Sequence, residues 1–192
     1  MDRKEFKNNF YAKKLTDIIS ENKGSNKATK AFLEPFLCSI NQDLQDFLHH
    51  KAIRFEKNLL AKTYVYFHKD DSDTIVGYFS ITIKSLLTDR LATATKKFLD
   101  GHKGEMPAIP CYLIGQLGIA DSFRSLKIGE HLLEDAINII TDAQSQLGGR
   151  FVLLDAVNHE NVLKFYQKNM FLPIEAIDGE KESIKMIKPF FA

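Results

Sequence analysis

Cysteine is scarce in this chain, with only Cys38 and Cys111 among 192 residues. Two are too few for a disulfide scaffold, and both read as reduced core thiols. Charge of one sign is lacking as well, since the formal net charge is +1. General attraction to nucleic acid or to an anionic membrane is therefore not expected. No stretch approaches the ~18–20 consecutive apolar residues of a membrane span. The opening Met-Asp-Arg-Lys-Glu-Phe-Lys is charged and runs into no long apolar segment, so it does not read as a signal peptide or an anchor. Internal repeats and low-complexity tracts are missing. Together these absences point to a soluble, cytoplasmic protein.

What is present is ordinary globular composition, 44% hydrophobic and 27% charged, in a length that fits one domain of roughly 100–200 residues. Residues 1–30 read as a partly helical N-terminal extension and 31–192 as a single domain. In the extension, Phe6, Phe10 and Lys13 to Leu15 share one face of a helix expected over about 5–20. Gly24-Ser25-Asn26-Lys27 is a loop tip. A second helix is expected over about 42–61, where Leu44, Phe47, Leu48, Ala52 and Phe55 recur at three- and four-residue steps behind an N-cap at Ser39 or Asn41. Residues 63–68 and 74–83 are β-branched and aromatic and form an antiparallel hairpin across a polar turn.

Between 84 and 110, Leu86, Leu87, Leu91, Phe98 and Leu99 line a short helix before Gly101, Gly104, Pro107 and Pro110 break the chain. Substrate specificity is expected to reside in this excursion. From Cys111 the pattern is β-α-β. An apolar strand over 112–120 leads to a helix with Leu132, Leu133, Ala136, Ile140, Ala143 and Leu147 as its buried stripe, stopped by Gly148-Gly149. The strand over 151–157 is apolar on both faces and so central. A helix over 161–168 and a strand over 183–187 complete the pattern.

Chemistry concentrates in the strand–turn–helix unit. The first turn of a helix offers backbone N–H groups without intrahelical partners, and the helix dipole adds partial positive charge. A diphosphate set against residues 124–129 meets those donors, with Arg124 and Lys127 adding formal charge and Gly129 opening the backbone. By itself this spelling also fits a helix entry made for packing. Further on, Lys164-Phe-Tyr-Gln-Lys-Asn-Met-Phe171 is a helix ending in aromatic residues.

The combination resembles the Gcn5-related N-acetyltransferase (GNAT) family. In that family a strand runs beside the pantetheine arm of acetyl-CoA, a turn of pattern Arg/Gln-x-x-Gly-x-Gly/Ala cradles the pyrophosphate, and a late Phe-Tyr-x-x-x-Gly-Phe element carries a catalytic tyrosine. Here Leu117, Gly118 and Ile119 fill the strand, and Arg124, Ser125, Leu126, Lys127, Ile128 and Gly129 fill the turn. Phe165, Tyr166 and Phe171 fill the late element. The resemblance covers about residues 32–190. It implies an α/β fold with a mixed, twisted and splayed β-sheet flanked by helices on both faces, and acetyl-CoA as co-substrate.

This chain departs from the family at four places. Lys127 stands where the family has its first glycine, Met170 where it has the late one, and His159 and Val162 fill slots that commonly hold Asn and Ala. A positive φ at Lys127 is expected to cost about 1 kcal/mol. Met170 is expected only to pack beside Phe171.

The implied mechanism is direct transfer. An amine attacks the thioester carbonyl, backbone amides near 117–119 polarise it, and Tyr166 protonates the departing thiolate. The general base stays open among His102, Glu105, Gln116, Asp155 and a water relay. No metal is expected, because His49-His50 lacks ligand spacing and reads as a solvated face. The N-terminal lysines 4, 7, 13, 14, 23, 27 and 30 are interspersed with acids and read as solvated surface. The leading function is N-acetylation of a small-molecule or peptide amine. A toxin-like acetylation of aminoacyl-tRNA is the second reading, motivated by the run Leu113-Ile-Gly-Gln-Leu-Gly-Ile119. A CoA-binding or regulatory module of the same fold is the third. A homodimer is compatible with all three, and a membrane partner with none.

Overall fold

In the computed structural model the described residues are 1–101, 103–174 and 182–191. Eight α-helices and seven strands are assigned among them. In chain order they are α1 (Arg3–Asn9), β1 (Phe10–Lys14), α2 (Leu15–Glu21), α3 (Asn26–Leu33), α4 (Gln42–Asp46), α5 (Ala52–Lys57), β2 (Lys62–His68) and β3 (Asp71–Leu87). Then come α6 (Thr93–Asp100), β4 (Ala108–Ile119), α7 (Gly129–Leu147), β5 (Phe151–Val157), α8 (Glu160–Lys168), β6 (Leu172–Pro173) and β7 (Ser183–Pro189). The strands form one sheet in the order β1-β2-β3-β4-β5-β7-β6. The β4–β5 pair is parallel, whereas β1–β2, β2–β3, β5–β7 and β6–β7 are antiparallel. This is the mixed α/β sheet with flanking helices that the resemblance implies.

The chain divides into two compact units, Met1–Thr82 with Gln116–Ala136, and Ile83–Gly115 with Ile137–Ala192. In the first, Leu15, Ile18, Leu33, Phe36, Leu48, Val65, Phe67 and Tyr78 are buried in one cluster. Glu56 is buried there too, yet its carboxylate accepts from Thr63 N–H at 2.9 Å, Thr16 Oγ1 at 2.5 Å and Lys62 Nζ at 2.7 Å. A buried charge is tolerable only when its lone pairs are occupied in this way.

The N-terminal segment departs from expectation. The single helix over 5–20 is broken by β1, whose Phe10 to Lys14 pair with His68 to Tyr64 of β2. Phe6 and Phe10 do meet, with ring centroids 5.3 Å apart, but Phe10 is extended at φ −128°, ψ 155°. Pairing to a strand edge overrides the weak helical pattern. The helix expected over 42–61 begins behind Asn41, whose side chain accepts from Asp43 N–H at 3.1 Å. It passes through a π-helical turn at Phe47–Lys51 before α5.

In the second unit Leu86, Leu91, Leu99, Ile109, Phe151, Leu153 and Ile187 form the core. Arg150 fixes its edge: Nε donates to the Leu99 carbonyl at 2.5 Å, and the guanidinium lies 4.3 Å from the Phe191 ring centre. Cys111 lies in this core and Cys38 in the other, both free, and burial raises both thiols, Cys111 to about 11. They are inert core groups, as expected. The helical excursion is α6, and β5 lies between β4 and β7 as its two-faced apolar run predicts. Leu147 is a correction: it is 77% exposed, because α7 outruns the surface its stripe covers.

Candidate active site

The turn is built from β4 outward. Gly118 is buried, and a Cβ there would lie 3.1 Å from Tyr78 Cε1 and 3.3 Å from Phe36 Cζ. Gly77 of β3 lets the Gly118 carbonyl approach so closely that an added Cβ would meet it at 2.6 Å. Tyr78 Oη in turn donates to the Leu44 carbonyl at 2.6 Å. Leu117 and Ile119 are half-buried on either side. Sequence reasoning passed over Gly77, whose only signal is a glycine inside a strand pattern.

Beyond β4 the chain enters a 3-10 helix at Asp121–Leu126, so Arg124, Ser125 and Leu126 lie there and not in the first turn of α7, as the sequence had suggested. Asp121 anchors the entry: its N–H donates to the Leu37 carbonyl and its Oδ2 accepts from Ser39 N–H, each at 2.9 Å. Lys127 then turns the chain at φ 55°, ψ 33°, the left-handed region. The first bonds of α7 run from His131 and Leu132 N–H to the Ile128 carbonyl. The N–H groups of Ile128 and Gly129 thus precede the helical bonds. Ile128 is buried, whereas the side chains of Arg124, Ser125, Leu126 and Lys127 are exposed. Arg124 rests 3.9 Å from Asp121 Oδ1. Exposed cations, a left-handed turn and helix-entry amides suit a diphosphate.

Tyr166 sits on α8. His159, in the family's Asn slot, is the N-cap of this helix, its Nδ1 accepting from Asn161 N–H at 3.3 Å. At the other end Phe171 N–H donates to the Tyr166 carbonyl at 3.0 Å and Met170 N–H to the Gln167 carbonyl at 2.9 Å. That pair of bonds is a Schellman motif with Met170 as its left-handed residue at φ 66°. The accompanying apolar contact is the Tyr166–Phe171 ring pair, with centroids 5.7 Å apart and Phe171 fully buried. Met170 itself is 68% exposed. It does not pack beside Phe171, because a left-handed residue at this position points its side chain away from the staple. Burial alone pushes the Tyr166 phenol up to about 12.

The base candidates fare unequally. Asp155 is paired with Lys185 Nζ at 2.8 Å, Glu105 is exposed, Gln116 is half-buried and His102 lies outside the described residues. Among the described residues no group of acids, histidines and cysteines is placed to hold a metal. The His49-His50 expectation needs correcting, since only His50 is exposed. His49 Nε2 is buried, and burial lowers its pKa. No helix among the described residues is long and apolar enough to cross a membrane.

No protein-family model matches the chain. A curated relative described as "Probable toxin TacT", from Sinorhizobium fredii (strain NBRC 101917 / NGR234), is 26% identical over 146 residues, 76% of this chain and 74% of its own length. Among solved structures, AtaT complexed with acetyl-methionyl-tRNAfMet is similar with a TM-score of 0.70 at 20% identity, covering 94% of both chains. The fold is of the GNAT type. AtaTR bound with AcCoA has a TM-score of 0.68 at 20% identity, covering 95% of this chain and 94% of its own.

Proposed function

We propose that this protein is an acetyl-CoA-dependent N-acetyltransferase of toxin type that acetylates the amino group of an aminoacyl-tRNA. The observation that carries the reading is the chain-wide match to a structure described as holding acetyl-methionyl-tRNAfMet. The TacT-like relative supports it from sequence, and a related structure is described as bound with AcCoA. A small-molecule or peptide amine, the leading expectation from sequence, has no counterpart in these descriptions, and the aminoacyl-tRNA reading replaces it. An antitoxin is the implied protein partner.

Acetyl-CoA supplies a thioester carbonyl and a thiolate leaving group. Arg124, Lys127 and the amides of Ile128 and Gly129 hold its pyrophosphate, and backbone amides within 117–119 accept the developing oxyanion. Nitrogen of the neutral amine forms the new bond to the carbonyl carbon, the carbon–sulfur bond breaks, and the amine proton passes to water. Tyr166 keeps its proton at Oη under working conditions, because its phenol stands near 12. Full transfer from such a phenol to a thiolate whose acid has a pKa near 8.5 is uphill by about 5 kcal/mol. Tyr166 therefore stabilises the departing sulfur by donating a hydrogen bond, and solvent completes the protonation.

The test is acetyl transfer from labelled acetyl-CoA to charged tRNA, with free amino acids and peptides as competitors. Label in the aminoacyl ester, with a rate that falls steeply as salt rises, is the expected result. Label confined to free amines, at a salt-insensitive rate, would remove the tRNA assignment.

A further inference from the structure

The start of α7 carries Glu130, Glu134 and Asp135 within two turns of the proposed diphosphate site. Acids near a helix N-terminus favour the free helix, but each repels an anion bound at that same end. The N-terminal segment answers two of them. Arg3 Nε lies 3.4 Å from Glu134 Oε2, and Arg3 Nη2 is ion-paired with Asp135 Oδ1. Arg3 Nη1 also donates to the His131 carbonyl at 3.2 Å. Tyr66 Oη donates to the other Asp135 oxygen at 2.7 Å, which satisfies a lone pair without cancelling charge.

The arm bearing Arg3 is itself held in place. Asp2 caps α1 by accepting from Glu5 N–H at 2.8 Å. Phe6, 2% exposed, lies against the His131 ring with centroids 4.7 Å apart. His131 Nε2 is 3.2 Å from the Met1 carbonyl oxygen. Residues 1–10 thus form a strap whose one cation is set on the helix that opens the anion site.

We propose that Arg3 is a positioning residue for acetyl-CoA: it cancels the Glu134 and Asp135 charges and fixes the first turn of α7, so that the amides there face a diphosphate without carboxylate repulsion. The inference rests on the acetyl-CoA reading of the turn. Neither the turn motif nor the relatives point to residue 3. The observation that does is the convergence of its guanidinium on two acids and one carbonyl of the same helix.

The experiment is calorimetric titration of acetyl-CoA into the full-length protein and into Arg3→Ala, Asp135→Asn and the double variant, with thermal unfolding of each. Arg3→Ala should weaken binding about five-fold at low salt, and the gap should narrow as salt screens the stranded acids. Adding Asp135→Asn to Arg3→Ala should recover most of the lost affinity. A merely structural arginine would lower the melting temperature without that recovery. Binding by Arg3→Ala within about two-fold of wild type, or a double variant no tighter than Arg3→Ala, overturns the inference.

Should Arg3→Ala fail to fold, Glu134→Gln, on a side chain 53% exposed, carries the test. It should tighten acetyl-CoA binding about two-fold, and unchanged or weaker binding overturns the proposal. Wild-type protein that takes up no acetyl-CoA sinks the reading of the turn itself, and the first titration reveals this before any variant is compared.

Discussion

Two turns in this molecule solve the same backbone problem with a residue unsuited to it. The turn between β4 and α7 places Lys127 at φ 55°, and the turn after α8 places Met170 at φ 66°. Both are positions where the GNAT pattern has glycine, and a side chain there costs about 1–2 kcal/mol. Each turn is held by a buried neighbour one residue on, Ile128 in the first and Phe171 in the second. The difference lies in what the side chain gains. Lys127 adds a cation where an anion is expected, whereas nothing in the structure explains methionine at 170. A left-handed residue can therefore be tolerated for function or simply because a buried anchor over-determines the bend.

The two turns should separate by readout, and the largest effect is chemical. Tyr166→Phe removes the donor that the second turn presents and should lower turnover about 10²–10³-fold, with acetyl-CoA affinity nearly unchanged. A variant that keeps its turnover would leave the second turn purely structural. Next in size is Gly77→Ala, which acts beneath the first turn. The clash at 2.6 Å is with the Gly118 backbone and cannot be relieved by a side-chain rotation. A loss of about 1–3 kcal/mol is expected in chemical denaturation, with weaker acetyl-CoA binding because residues 117–119 shift. Stability equal to wild type would mean that β3 and β4 yield easily there. Smaller again is Lys127→Asn, which keeps a left-handed conformer and removes the charge. A roughly three-fold loss of acetyl-CoA affinity and little change in stability are expected from calorimetry and melting.

Tyr166 also gives a pH signature that the first turn lacks. Its folded-state pKa, near 12, stands above the unfolded value of 10.0. The unfolded chain then releases this proton first, so the phenol's contribution to stability is complete below pH 10 and is lost as pH rises toward 12. Denaturation of wild type against Tyr166→Phe across that window should show the wild type losing more. Parallel curves would mean the phenol is not buried as the structure has it.

How much of this was legible depended on whether local pattern or tertiary contact decided the outcome. Leu132, Leu133, Ala136 and Ile140 are buried on α7 as their period requires, and the hairpin of β2 and β3 follows its β-branched runs. Gly149 stops α7 for a reason that no pattern carries: a Cβ there would meet Tyr112 Cε2 at 2.6 Å. The strand β1 was not legible, because Phe10-Tyr-Ala-Lys-Lys14 acquires its extended form only from the edge of β2. The site residues were legible as types and order, but their backbone states were not. Lys127 read as an oddity whose φ decided its meaning, and Met170 read as packing when it is solvent-facing. The Arg3 contacts were invisible because residues 3 and 135 are joined by the fold alone.

The smallest expected effect sharpens the comparison most. Glycine at either position relieves the left-handed strain but gives back about 0.4–1 kcal/mol through the freer unfolded chain. The net gain should be a few tenths to about 1 kcal/mol in both Lys127→Gly and Met170→Gly, read as a small rise in denaturation midpoint. Equal gains in stability would show that the two bends carry the same strain. Their activities should then diverge: Met170→Gly should match wild type in acetyl-CoA affinity and turnover, whereas Lys127→Gly should bind acetyl-CoA as weakly as Lys127→Asn. If Lys127→Gly binds as well as wild type, the lysine contributes no charge to the site. The first turn would then work by its backbone amides and Arg124, and its lysine would be tolerated on the same terms as Met170.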